Sequence, residues 1–262
     1  HDGDTVIVEA AGNLSVRFLG IDTPEVSFTL PGSSRFTGLA HSNWVQFLDD
    51  PFNTAPSEFL TSLGNGLRQH LERATGQRCA ANHAHYAECA HRYLEQLVVH
   101  DMQILGEDRN TFHFFMTFAN EVMDGFGRLL CFINRNQDHP TTPQPRPLSY
   151  NERMLDAGMA SPYFIWPNVN PFRRQSSLVA AVPPPGNIDQ IANGAGGLGL
   201  ARQSVQNARQ QHSGIFENNN PLRLQPFELR FLARRSPPSR WVIDLSNPNT
   251  NMLLRPAHYY TI

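Results

Sequence analysis

Apolar and polar positions alternate early in the chain and change period further on. Residues 5–10 (TVIVEA) are β-branched and partly alternating, which predicts a strand. Gly12 and Asn13 tolerate a positive φ and predict a turn. Residues 14–21 predict a second strand, in which Leu14, Val16 and Phe18 alternate with Ser15, Arg17 and Leu19. Further strands are predicted near 111–118 and 129–133. Between them the period is helical: Tyr86, Ala90, Tyr93, Leu94, Leu97 and Val98 mark an amphipathic helix over 83–101. Residues 28–80 contain two short helical patterns, SNWVQFLDD and SEFLTSLGNGLRQHLERATG, the second capped by Ser57. Trp44 and Phe47 on the first fit core packing or a substrate wall. In the tail, PFELRFLARR, SRWVIDLS and AHYYTI read as short strands between Pro and Asn turns, a small β appendage that needs a face to pack on.

The first two predicted strands would form a hairpin. An antiparallel pair sets the start of one strand beside the end of the next, so Asp4 and Asp22 would share one end of the sheet, with Arg17 within reach. Taken singly, Asp-Gly is a common turn pair, and Asp22-Thr23-Pro24-Glu25 is an ordinary helix start. Together they say more, because two carboxylates at one sheet end repel unless a cation or a shared proton relieves them. Hard oxygen donors without a nearby Cys or His favour Ca²⁺ or Mg²⁺ over zinc.

Asp-Gly-Asp-Thr at residues 2–5, the run VRFLGIDTPE, and DGFGRLLCFIN at 124–134 occur in an order that resembles the staphylococcal nuclease (thermonuclease-like) family. SYNERMLDAGMASPYFIWPN and ARQSVQNARQQHSGIF resemble that family's later helices and aromatic segment, with Phe126 in place of a Tyr and Phe216 in place of a Trp. The resemblance covers residues 1–26, about 111–168 and about 198–216. It implies an α+β, mainly β fold: an OB-fold, a five-stranded Greek-key barrel with helices. That domain would span 1–216, with a helical insertion at about 28–80 and Pro/Gly-rich loops at about 138–147 and 180–199, followed by the 217–262 appendage. Family members carry an earlier half of the first strand, so residues preceding His1 are expected to complete it.

Carried over by position, the resemblance makes Asp4 and Asp22 metal-binding carboxylates and Thr23 a backbone ligand. Glu25 would position or activate the attacking water, Arg17 and Arg128 would grip the phosphate, and Tyr163 would lie near the nucleotide. A second aromatic usual there is Ile165 in this chain. The implied activity is calcium-dependent hydrolysis of DNA and RNA phosphodiesters, leaving 3′-phosphate and 5′-hydroxyl ends, with Mg²⁺ or Mn²⁺ less suited. The residue types suit that chemistry on their own. Guanidinium forks bind anionic oxygens bidentately without deprotonating, and a nearby carboxylate can take a proton from water. The alternative is a non-catalytic nucleic-acid- or protein-binding domain of the same family. Against it, Asp4, Arg17, Asp22, Glu25 and Arg128 are all present.

Composition narrows the partners. The 21 basic residues are all arginine and the net charge is −2, so long-range attraction to nucleic acid is weak, and binding is either local, through arginine clusters, or reliant on the metal. Arg173 with Arg174 and Arg234 with Arg235 are candidate clusters, or solvated loop charge. The tail's Arg230, Arg234, Arg235, Arg240, Trp241, Tyr259 and Tyr260 could contact nucleic acid or simply cap the barrel. No apolar run approaches the ~20 residues of a membrane span, and no obligate protein partner is implied. The Gly-rich run at 194–199 lacks the Gly-Lys-Ser/Thr ending of a phosphate loop. Cys79, Cys89 and Cys131 do not have zinc-site spacing; Cys79 and Cys89 could pair in an oxidising compartment, and Cys131 should be buried in its strand. His83, His85, His91 and His100 read as helix surface. Secretion or a periplasmic location follows only from the family's habit.

Overall fold

The computed structural model describes residues 14–139, 141–166, 168, 197–237, 239–245 and 253–254. The predicted strand at 5–10, its hairpin turn, Asp4, the Arg173–Arg174 pair and most of the 180–199 loop lie outside them.

The fold is mixed α+β. Strands β1 (Val16–Phe18), β5 (Phe114–Met123) and β6 (Leu129–Arg135) form one sheet in the order β1-β6-β5. β1 runs parallel to β6, with Arg17 opposite Leu130, and β5 runs antiparallel to it. β2 (Gly20–Asp22) pairs antiparallel with β7 (Ser161–Tyr163) in a separate ladder. Two further two-stranded ladders join β3 (Ser27–Thr29) to β4 (Phe36–Gly38), and β8 (Val242–Ile243) to β9 (Leu253–Leu254). The described strands do not close into a barrel.

The single strand predicted over 14–21 is divided. Gly20 adopts φ +76°, and a Cβ there would lie 2.5 Å from Cε1 of Phe164. Only glycine permits both the backbone turn and the approach of that ring. The chain therefore leaves the β1–β6 sheet at Leu19 and enters the β2–β7 ladder at Gly20, which carries Asp22 away from Arg17's strand and toward Ser161.

The insertion folds as expected for its periodicity. Helix α1 (Ser42–Asp49) and helix α2 (Ser57–Ala74), bent at Gly64, enclose a core of Phe28, Leu39, Trp44, Leu48, Leu63 and Leu71. Trp44 is fully buried and its indole N–H donates to the Thr37 carbonyl, so it serves the core and not a substrate wall. Helix α3 (Cys79–Leu105) extends the predicted 83–101 segment at both ends and stops at Gly106, whose φ of 69° suits the left-handed cap. Cys79 and Cys89 both sit on α3, about 15 Å apart along its axis at ~1.5 Å per residue, which rules out the disulfide; both are free. Cys131 is buried as expected.

Helix α4 (Tyr150–Asp156) starts at a capping box in which Ser149 and Glu152 satisfy each other's backbone N–H groups. Its Asn151 amide donates to the carbonyls of Leu19 and Cys131, tying the Gly20 bend to β6. Helix α5 (Gly197–Gln210) packs on α4, and a short 3-10 turn, Gly214–Phe216, follows three residues later.

The tail corrects the predicted β appendage. Residues 226–234 form helix α6 (Pro226–Arg234), not a strand. The F-E-L-R-F pattern fits alternation, but Phe227 and Phe231 also stand one helical turn apart. Pro226 takes the first turn, where its missing N–H costs nothing, and Gln225 with Glu228 closes a capping box. The helix is no outlying cap: Leu229 and Leu232 complete the core of the insertion, while Phe227 and Phe231 pack with Val242 and Leu254. Among the described residues only Val242–Ile243 and Leu253–Leu254 are strand in this tail; the predicted strand at 257–262 lies outside them.

Candidate functional site

Asp22 ends β2 with its side chain only 3% exposed. Thr23 and Pro24 carry the chain out of the ladder, and the Glu25 N–H then donates to Nε2 of His83 at 2.8 Å. His83 is fully buried on α3, against the surface position expected from sequence. Because Nε2 accepts, Nδ1 carries the proton, and it faces the Leu224 carbonyl at 3.2 Å. Burial drives the pKa of His83 down to about 4, so the ring is neutral and holds the Glu25 backbone as an acceptor. The sequence signal for this was the stripe Ala80, His83, Ala87, Ala90, whose helical spacing sets His83 on the small-residue buried face.

The two acidic side chains meet on one cation. Arg230 of α6 places its fork on Asp22, with Nη2 2.7 Å from Oδ2 and Nη1 3.0 Å from Oδ1. The same Nη1 donates to Glu25 Oε1 at 2.7 Å. Arg17 adds a contact to Asp22 Oδ1 at 3.1 Å from its Nη2. Burial works against the Arg230 charge, but Asp22 and Glu25 outweigh it and push its pKa up. For Glu25, burial is the main influence and raises its pKa, Asp22 adds to the rise, and Arg230 and Arg17 oppose it. Arg230 was legible as a tail arginine, but a strand reading gave no reason to bring it to Asp22.

Arg17 and Arg128 share a sheet face. Val16 lies opposite Leu129 in the parallel pair, so Arg128 falls in line with Ser15, two residues before Arg17 and on the same side of the pleat. Arg128 follows the tight turn Asp124–Gly127 and is held by Asp124 Oδ2, at 2.6 Å from Nη2 and 2.8 Å from Nε. Its guanidinium stands 5.4 Å from the centroid of Phe126, a ring that is 76% exposed. Arg234 lies in the same field: burial lowers its pKa first, then Arg230, with Arg17 and Arg128 acting in the same direction.

Tyr163 lies opposite Gly20 across the β2–β7 ladder and stacks on Phe227, with centroids 5.1 Å apart and planes 12° from parallel. One ring face is thus spent on α6, and burial pushes the phenol up to about 12. A cleft of about 110 Å³ opens beside it, lined in part by Arg17, Gly20, Glu121, Asp124, Tyr163 and Arg240. Ile165 bridges to Val242 and packs with the Phe227 cluster.

Calcium takes six to eight oxygen ligands. The described residues offer Asp22, Glu25 and the Thr23 backbone, and both Asp22 oxygens and one Glu25 oxygen already accept from guanidinium groups. Among the described residues, His, Cys, Asp and Glu form no group of three or more suited to a metal. With Arg230 in this position the donor set does not fit calcium; Asp4, the remaining expected ligand, lies outside the described residues.

Comparison of the chain with protein-family models, with curated proteins and with solved structures finds no match.

Proposed function

We propose that the chain is a phosphodiester hydrolase acting on DNA and RNA, with the active site at the Arg17–Asp22–Glu25 cluster. The observation that carries this reading is the joining of Asp22, Glu25 and Arg17 through Arg230 in one hydrogen-bonded group, with Arg128 on the same sheet face as Arg17. It agrees with the resemblance to the staphylococcal nuclease family, and the β1-β6-β5 sheet and β2–β7 ladder are read as parts of that family's OB-fold. Arg17 and Arg128 would donate to the non-bridging phosphate oxygens as charge gathers on them. Glu25, raised by burial above the usual carboxylate range, would take a proton from water as the water oxygen bonds to phosphorus. The bond from phosphorus to the 5′ oxygen then breaks, its electron pair leaves on that oxygen, which takes a proton from solvent water, and the phosphate stays on the 3′ side. A calcium-dependent form of this chemistry, as the resemblance implies, requires Arg230 to release Asp22.

One observation favours a second reading. Both carboxylates are engaged by Arg230, as suits a nucleic-acid-binding domain that does not cleave. A gel containing DNA or RNA, developed in calcium and in chelator with wild type and Glu25→Gln, separates the two. Cleavage that drops by about 10² or more in Glu25→Gln is expected. Binding of an oligonucleotide with no cleavage in either buffer would refute hydrolysis and leave the second reading.

A further inference from the structure

We propose that Arg230 is the resident cation of the Asp22–Glu25 pair: its guanidinium fills the place a divalent ion would need, and the cleft takes a nucleic-acid phosphodiester by arginine contacts without metal. The ligand rests on the reading above; the cation does not.

The geometry is that of a built site. Two carboxylates and two guanidinium groups balance in charge, joined by contacts of 2.7 to 3.1 Å. Asp22 is 3% exposed and Arg230 11%, so both are largely withdrawn from water. Two buried carboxylates this close need a counter-charge, and α6 supplies it. Among the described residues, a divalent ion added beside Arg230 would leave the pocket with excess positive charge and would find the Asp22 oxygens already occupied.

The arginine is also fixed in place by its helix. On either side of Arg230, Leu229 and Leu232 are fully buried in the core of the insertion, and Phe231 packs against Val242. Phe227, one turn earlier, stacks on Tyr163. At the start of the helix, Glu228 closes the capping box and contacts His70 at 2.5 Å. Withdrawing Arg230 by moving α6 would unpack both groups of residues. The backbone of Arg230 is therefore held from both sides of α6, and its guanidinium is held by the contacts to Asp22 and Glu25. The outer arginines, Arg17 on Asp22 and Arg128 on Asp124, each hold one carboxylate and turn their remaining N–H groups outward to meet the anion. Each is more than a quarter exposed, at 27% and 36%.

Calcium alone, titrated calorimetrically into wild type and into Arg230→Gln, tests the cation. Wild type is expected to bind no more tightly than about 10⁻³ M, the weak end of protein calcium sites. Arg230→Gln removes the charge and frees carboxylate oxygens, so it should bind calcium at least about tenfold more tightly. Wild type that binds calcium below about 10⁻⁴ M, or as tightly as the variant, overturns the proposal. The wild-type titration decides by itself if Arg230→Gln does not fold. A fluorescent single-stranded DNA oligonucleotide, followed by anisotropy in calcium and in chelator, tests the ligand. Equal affinity in the two buffers supports recognition by arginine alone. A loss of about tenfold or more in chelator overturns it. An oligonucleotide bound in neither buffer overturns the phosphodiester reading itself, while the calcium titration still decides the role of Arg230.

Discussion

Acidification should destabilise this protein through one buried ring. His83 is fully buried, with its pKa driven by burial from 6.5 to about 4. In the unfolded chain the ring protonates at its ordinary value, so the unfolded state takes up the proton first as pH falls. The stability tied to the neutral ring is complete above about pH 6.5 and is lost as pH drops toward 4. At about 1.4 kcal/mol per unit, the loss reaches about 2 kcal/mol by pH 5 and about 3 kcal/mol by pH 4. Below that, a charged ring could no longer accept the Glu25 N–H, and the Asp22–Glu25 turn would lose its anchor. The control is His83→Gln, whose amide can accept and donate but does not titrate. Urea midpoints from pH 7 to 4 should fall in wild type by about 1 M more than in the variant. The carboxylates titrate in both proteins and cancel in the difference. Parallel curves for wild type and His83→Gln would refute the argument, since they would mean the ring is hydrated or already protonated in the fold.

Other expectations follow from single contacts. Arg128→Lys keeps the charge but loses the fork, and cleavage measured on labelled oligonucleotides should fall by about 10². Gly158→Ala should lower thermal stability by about 3 kcal/mol or more, read by circular dichroism, because its Cβ would lie 2.2 Å from the Ser213 carbonyl oxygen at a φ of +65°. Ser149→Ala should cost about 1 kcal/mol in the same assay by opening the α4 capping box. The log–log salt slope for single-stranded DNA should lie between about −1 and −3, at ~0.7 per neutralised phosphate; a slope steeper than about −5 would mean many more arginines touch the strand.

Much of the local structure was determined by sequence alone, because period, caps and turn residues act over a few positions. α1, α2 and α3 follow from apolar spacing and end near residues that stop helices, such as Gly106. The β5–β6 pair follows in part from apolar, aromatic and β-branched runs near 111–118 and 129–133, although β5 continues past the predicted strand to Met123 and the Asp124–Gly127 turn. Arg17, Asp22 and Glu25 were legible as a group for the same reason: one short stretch of chain ties them together whatever the rest does.

Tertiary structure decided what their charges meet. Arg230 lies 208 residues from Asp22, and His83 lies 58 from Glu25, distances over which no local pattern specifies a partner. The segment at 226–234 fitted two periods. It became a helix because that form buries Leu229 and Leu232 on one side and Phe227 and Phe231 on another, where a strand would have had no sheet to join. The parallel pairing of β1 with β6 and the break at Gly20 likewise depend on elements far along the chain: β6 offers an edge, and Phe164 fills the space where a side chain would stand. Sequence placed two carboxylates and an arginine together; packing of a distant helix brought the second arginine that neutralises them.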